Sequence, residues 1–177
     1  YQSTGQQETA VTQTVYMQLS HLHSCQVCGH SSVSTELVNY LSCPLRIEQV
    51  TPIDIEPSHE TSDRPCTNCG HNTTICDTEI TVPPTILFVT VMRFNAQMEK
   101  MHNQVNVQPQ LLTKRNIAYH LVGSIYHYGN RSDAGHYFAD VFHTATQQFY
   151  RCDDLTVHPT QLPFESDNAY IFVYQKQ

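Results

Sequence analysis

Two six-residue elements, CQVCGH at 25–30 and CTNCGH at 66–71, restrict the possible folds of this chain more than anything else in it. Each is Cys-x-x-Cys followed by Gly-His. Two thiolates at that spacing curl around one side of a tetrahedral ion, and two such turns close the shell at a Zn–S distance of about 2.3 Å. Cys25, Cys28, Cys66 and Cys69 are therefore the expected ligands of one zinc ion, with the intervening residues forming a finger held at its base. Gly29 and Gly70 follow each second cysteine, where a tight turn calls for positive φ. A closed four-thiolate shell leaves no position for water, so such a metal is structural. The competing reading is four free or disulfide-bonded thiols, which leaves the repetition of CxxCG a coincidence. His30 or His71 could replace one cysteine, although a solvent-facing position explains both. Cys43, Cys76 and Cys152 read as small buried apolar residues.

The chain has 177 residues, enough for one domain with a sizeable sub-module and a core that needs no disulfides. Its formal charge of −7 argues against nucleic acid, whose binding relies on Lys and Arg. An acidic surface suits a basic partner. No apolar run approaches the roughly 20 residues of a membrane helix, so no membrane partner is expected. The sequons at Asn72 and Asn130 are read as chance, because the cysteine pattern fits a metal site in a reducing compartment.

Residues 1–10 are polar and expected to fray. VTQTVYMQLSHLHSC, from residue 11, alternates loosely and reads as a strand with Val15, Met17 and Leu19 on one face. STELVNYLSCPLRI fits a short helix or a half-buried strand equally, and TPIDIEPSHETSDRP reads as a loop. TEITVPPTILFVTVMRF is a strand, a Pro-Pro break and a run apolar on both faces, as in a central strand. Residues 95–110 are expected to be a connection with an edge strand. IAYHLVGSIYHYG, AGHYFADVFH, QFYRCDDLTV and NAYIFVYQK are four further strands at short spacing, and no long helix is evident. The fold class is α+β, predominantly antiparallel β.

Pairing GHYFADVFH with QQFYRCDD across a loop at 144–147 sets His143 opposite Gln148, Phe142 opposite Phe149 and Asp140 opposite Arg151. That register gives an aromatic pair and an opposite-charge pair. It also puts His136, Phe138, Asp140, Arg151 and Asp153 on one face, with Asp153 diagonal to His136. A one-residue slip would bring Asp154 round instead. An acid could thus hold one nitrogen of His136 and leave the other as a base. Cys152 alternates to the other face and cannot be a partner thiol. From the hairpin alone, a purely structural strand histidine remains an equal reading.

These residues together resemble the ubiquitin-specific proteases. The resemblance rests on Tyr119 and Leu121, His127 and Gly129, Gly135 to Tyr137, the Asp153–Asp154 pair, and Ala169, Tyr170 and Tyr174 of the closing strand. Pro83, Leu87, Arg93 and Phe94 match the family's strand ending in Arg-Phe, and the two knuckles match its zinc-bearing fingers. The order is kept from about residue 11 to 175. The finger is short, the 130–134 loop slightly long, Phe149 stands where Trp is common, and Cys152 where Phe is common.

The resemblance implies a papain-like cysteine protease palm with zinc-bound β fingers. Residues 1–177 would be one catalytic-domain fragment, with fingers at about 11–82 and the palm at 83–177. It implies thiol-dependent hydrolysis after the C-terminal glycine of ubiquitin. His136 would be the base, Asp153 its orienting acid and Asp154 a support for that site or the oxyanion. Gly129, Gly135 and Tyr137 would border the ubiquitin tail. The family's cysteine box and its oxyanion Asn or Gln lie on a thumb N-terminal to the fingers. The thumb is absent from this chain, and the nucleophile is expected from a segment outside it, so that this chain alone would be inactive. The expected partners are ubiquitin or a ubiquitinated protein and that thumb segment, in the cytoplasm or nucleus. The alternatives are an inactive ubiquitin- or protein-binding zinc module and a zinc-ribbon scaffold.

Overall fold

The computed structural model describes residues 9–46 and 49–177. The expectation of fraying at the N-terminus falls mostly on residues 1–8, outside that range. Two compact units emerge, one from residues 9–40 and 56–86, the other from 41–55 and 87–177.

The first unit opens with a helix where a strand was expected. Thr9 caps α1 (Ala10–Val15): its hydroxyl accepts the Thr12 N–H at 3.2 Å, while the Thr12 hydroxyl accepts the Thr9 N–H at 2.8 Å. This reciprocal cap satisfies two otherwise orphaned amides and outweighs the strand preference of Val11, Thr12, Thr14 and Val15. The strand β1 therefore starts later, at Met17–Ser24. It pairs antiparallel with β2 (Ser31–Val38), which settles the ambiguous STELV stretch as strand. The next strand, β3 (Leu41–Pro44), belongs to the second unit. Within the expected loop, β4 (Glu60–Ser62) pairs with β5 (Thr74–Val82). The sheet order is β2-β1-β5-β4. Met17, Leu19 and Ile80 form its buried side, and Leu19 lies opposite Ile80. The buried carboxylate of Glu56 accepts the Ile80 N–H at 2.6 Å and Thr78 N–H bonds Pro57 O at 2.9 Å, tying the 56–57 segment to β5.

The second unit is built on one large sheet. Its further strands are β6 (Ile86–Met92), β7 (Val105–Asn106), β8 (Gln110–Leu112), β9 (Ala118–Arg131), β10 (Ala134–His143), β11 (Gln148–Asp153), β12 (Thr156–Thr160), β13 (Glu165–Ser166) and β14 (Ala169–Lys176). The order runs β12-β11-β10-β9-β14-β6-β3, with β8 also on β9 and β7 paired to β13. Every pairing for which a register is defined is antiparallel except β3 with β6, which is parallel. The β6 run is central as expected, with Leu87, Val89 and Val91 fully buried. Tyr119, Leu121, Tyr126, Phe172 and Tyr174 extend this core along β9 and β14. Among the described residues α1 is the single helix, and none is long and apolar enough to cross a membrane. The α+β, largely antiparallel reading holds.

One buried cation joins the ends of several elements. Arg93 is 0% exposed, just past β6. Its guanidinium donates to the carbonyls of Ala169, Met101 at 3.3 Å, Asn103 at 2.9 Å and Ser166 at 2.9 Å. Burial pulls its pKa down to about 10, with the nearby Asp167 carboxylate opposing that fall, so it stays charged at neutral pH. Arginine alone offers five donors in a planar fork. Replacing Arg93 with Met would leave these carbonyls unsatisfied, at about 1–3 kcal/mol for each buried orphan. We expect a loss of about 4 kcal/mol or more for Arg93→Met, the low end for four carbonyls, and a smaller loss for Arg93→Lys in urea unfolding followed by circular dichroism. Wild-type stability of Arg93→Lys would show that charge, not the fork, matters.

Candidate functional site

The β10–β11 hairpin has the register read from the sequence: Asp140 opposite Arg151, Phe142 opposite Phe149, His143 opposite Gln148. The Phe142 and Phe149 rings lie 5.2 Å apart. Gln147 closes the loop at φ +54. Arg151 holds the buried Asp140 with two bonds of 2.8 and 2.9 Å. Its guanidinium also lies 4.4 Å from the Phe138 ring centre, which stacks on Tyr126 at 4.8 Å. This charged and aromatic layer fixes the face that His136 shares.

On that face His136 Nε2 meets Asp153 Oδ1 at 2.5 Å. With Asp153 ionised, Nε2–H donates and Nδ1 is left with its lone pair. The hydrogen bond to Asp153 raises the pKa of His136 above its ordinary value, and the charges of Asp153 and Asp154 add to the rise. Both partners are partly open to solvent, with side-chain exposures of 43% and 37%. Asp154 follows in the β11–β12 turn at φ +48, and its carboxylate stays within reach of the other two groups. A proton donor brought to Nδ1 from solvent could lose its proton there.

Gly129, Gly135 and Tyr137 have a different setting. Tyr137 pairs with His127 across β9 and β10, one residue on from His136, and so points to the opposite sheet face. The fully buried His127 ring packs against Tyr137 at 4.7 Å and Phe94 at 5.5 Å. Gly129 has φ +134, and a Cβ there would come 2.8 Å from Ala134 O. At Gly135 a Cβ would collide with His127 Nε2 and Tyr128 O. The chain's own packing thus demands both glycines. Burial keeps His127 below the ordinary histidine pKa, and the Lys100 ammonium adds to this, so it is neutral. Lys100 donates to His127 O and to Asn168 Oδ1 at 2.6 Å, fixing this end of the hairpin. No sequence signal marked Lys100, which lies in the polar 95–110 stretch.

In the first unit the two knuckles make the same turn twice. Gly29 N–H bonds Cys25 O at 3.0 Å and Gly70 N–H bonds Cys66 O at 2.9 Å, with φ of +70 and +71 at the glycines. All seven cysteines are free, which removes the disulfide reading. The sulfurs of Cys25, Cys28, Cys66 and Cys69 lie within 4.8 Å of one another. Cys25 and Cys69 are 3.7 Å apart, and Cys28 and Cys66 are 3.6 Å apart. The edge of a tetrahedron with 2.3 Å Zn–S bonds is about 3.8 Å, so the four thiols fit such an ion. The His30 backbone, then the Asn68 side chain and the neighbouring thiols, pull the Cys28 pKa to about 6, while at Cys69 the His71 backbone hydrogen bond is outweighed by the neighbouring thiols, which push it up to about 12, so the four thiols share their negative charge unequally. His30 and His71 are exposed and lie outside the cluster; their rings meet Thr67 and Thr73. Of the other cysteines Cys43 is buried, whereas Cys76 and Cys152 are only partly so.

Comparison with known proteins follows the same lines. Over 111 residues the chain is 32% identical to Ubiquitin carboxyl-terminal hydrolase 3 of Saccharomyces cerevisiae, covering 48% of this chain and 12% of that protein. A yeast SAGA DUB module structure with a mutant Sgf73 superposes with a TM-score of 0.75 at 18% identity, over 98% of this chain and 43% of the other. The SAGA Ubp8/Sgf11/Sus1/Sgf73 DUB module bound to ubiquitin aldehyde gives 0.76 at 17% identity, over 98% and 44%. At that identity the structures establish the fold, that of the papain-like protease palm with β fingers. The chain spans less than half the length of each of these relatives. The model of one family, Ubiquitin carboxyl-terminal hydrolase, matches residues 1–174. The chain belongs to the ubiquitin carboxyl-terminal hydrolase family.

Proposed function

We propose that this chain is the fingers-and-palm part of a cysteine-type deubiquitinase, which hydrolyses isopeptide or peptide bonds after the C-terminal glycine of ubiquitin. The observation that carries the reading is the 2.5 Å contact of His136 Nε2 with Asp153, both partly open to solvent. It leaves Nδ1 for a thiol, and the nucleophilic cysteine comes from a segment outside residues 1–177. His136 takes the thiol proton, forming a thiolate–imidazolium pair, and later returns a proton to the leaving amine. Asp153 orients the ring and stabilises its charged form, while Asp154 adds negative potential beside it. An imidazolium nearby lowers a thiol pKa from about 8.5 to well below neutrality. In this reading the first unit is the fingers sub-module and the second the palm, and the end of the β9–β10 hairpin at Gly129, Gly135 and Tyr137 borders the ubiquitin tail. Zinc held by Cys25, Cys28, Cys66 and Cys69 supplies folding energy and takes no part in the reaction. The setting is the cytoplasm or nucleus, where free thiols persist.

His136→Ala in the full-length protein should lower turnover of a ubiquitin conjugate by about 10²–10⁴-fold, the usual weight of an acid–base group, with the fold intact by circular dichroism. Retention of activity within twofold would sink the assignment. Residues 1–177 alone should not label with a thiol-directed ubiquitin probe, and the full-length protein should.

The elevated His136 pKa has a definite sign. The imidazolium persists above about pH 6.5, so the stability its pairing lends is complete below that pH and fades as pH rises through the raised value. Asp153→Asn should therefore shift the His136 titration to lower pH in imidazole NMR; an unchanged or higher midpoint would contradict the pair.

Elemental analysis should find one zinc per chain. Cys66→Ser should remove it and abolish hydrogen-exchange protection in β1, β2 and β5. Full protection with no metal bound would contradict the finger assignment.

A further inference from the structure

We propose that His136, Asp153 and Asp154 form a second, exchangeable divalent-metal site, at which Zn²⁺ from solution binds and silences the base. One ring nitrogen of His136 and one oxygen from each aspartate lie within 4.8 Å of one another. Among the described residues only one other group of three or more potential ligands gathers so closely, the four cysteines. The two sets differ in kind. Four thiolates close a shell, whereas one imidazole and two carboxylates supply three ligands and leave positions for water, as in solvent-accessible zinc sites. Nitrogen and oxygen donors suit Zn²⁺ and Co²⁺.

Access and charge agree with this. His136 and Asp153 are 43% and 37% exposed in their side chains, so an ion can reach them without unfolding. The neighbouring cation Arg151 is committed to Asp140 by two bonds, so it does not neutralise the aspartates. The left-handed backbone at Asp154 turns the chain sharply between β11 and β12, which keeps its carboxylate beside the pair instead of following the alternation of β11. Two other histidines meet a single aspartate, His59 with Asp77 and His102 with Asp167, at 3.9 and 3.7 Å. Among the described residues neither pair has a third ligand in a comparable cluster, which makes them internal controls.

Binding beside the aspartates would be through Nε2, breaking its bond to Asp153 and shifting the ring proton to Nδ1, so the ring would have no lone pair left to accept a thiol proton. This consequence rests on the protease reading above; the binding itself does not. The test is calorimetric titration of Zn²⁺ into full-length protein whose cysteine site is already filled. We expect one further equivalent, weakened at least about tenfold by His136→Gln and by Asp154→Asn, the least that even outer-shell changes cause, and unaltered by His59→Gln or His102→Gln. No further equivalent below millimolar Zn²⁺, or one that survives both His136→Gln and Asp154→Asn, would overturn the site. In a parallel assay, hydrolysis should fall with the same Zn²⁺ midpoint and recover with a weak chelator that leaves the cysteine-bound zinc in place. Full activity with this equivalent bound would overturn the silencing. If the full-length protein hydrolyses no ubiquitin conjugate at all, the deubiquitinase reading fails while the calorimetry still decides the metal site.

Discussion

The second unit is organised around the buried guanidinium of Arg93. A fixed positive charge with no water around it must be met by oxygen atoms in its plane. The chain meets it with carbonyls from Met101 and Asn103 on one side and Ser166 and Ala169 on the other. Met101 and Asn103 lie in a loop, and Ser166 and Ala169 at strand ends. Drawing them onto one side chain locates the start of β14 relative to the end of β6. Asn168 then accepts from Lys100, which also holds the His127 carbonyl on β9. The chain of contacts from Arg93 thus runs through β14 and Lys100 to the hairpin that carries His136.

The hairpin itself was legible in the sequence because several requirements agreed. Asp140 with Arg151 and Phe142 with Phe149 both favour one register, and any slip spoils both pairs. Once the register is set, period-two alternation puts His136 and Asp153 together. The knuckles were legible for a similar reason: Gly29 and Gly70 adopt the positive φ that tight turns around cysteines require. Strong local chemistry repeated at fixed spacing leaves few alternatives.

Elsewhere the physical signal was non-local or competing. Residues 11–15 alternate like a strand, yet the mutual capping of Thr9 and Thr12 makes them helical. Lys100 becomes buried only because residues distant in sequence converge on its ammonium. Gly135 was expected to border the ubiquitin tail; what could not be read is that a side chain there would collide with the chain's own His127 ring. Tyr137 follows His136 directly, and that adjacency in sequence is what sends it to the other side of the sheet.

The large sheet begins at β12 and ends at β3, and both outermost strands carry a proline. Pro159 lies within β12 opposite Tyr150, and Pro44 is the last residue of β3. A proline has no amide hydrogen to offer a newcomer, so neither margin presents an unbroken row of donors. Open β margins tend to recruit further strands from other molecules and grow into aggregates. With its borders interrupted in this way, the sheet can stay finite while His136 and Asp153 remain partly open to solvent.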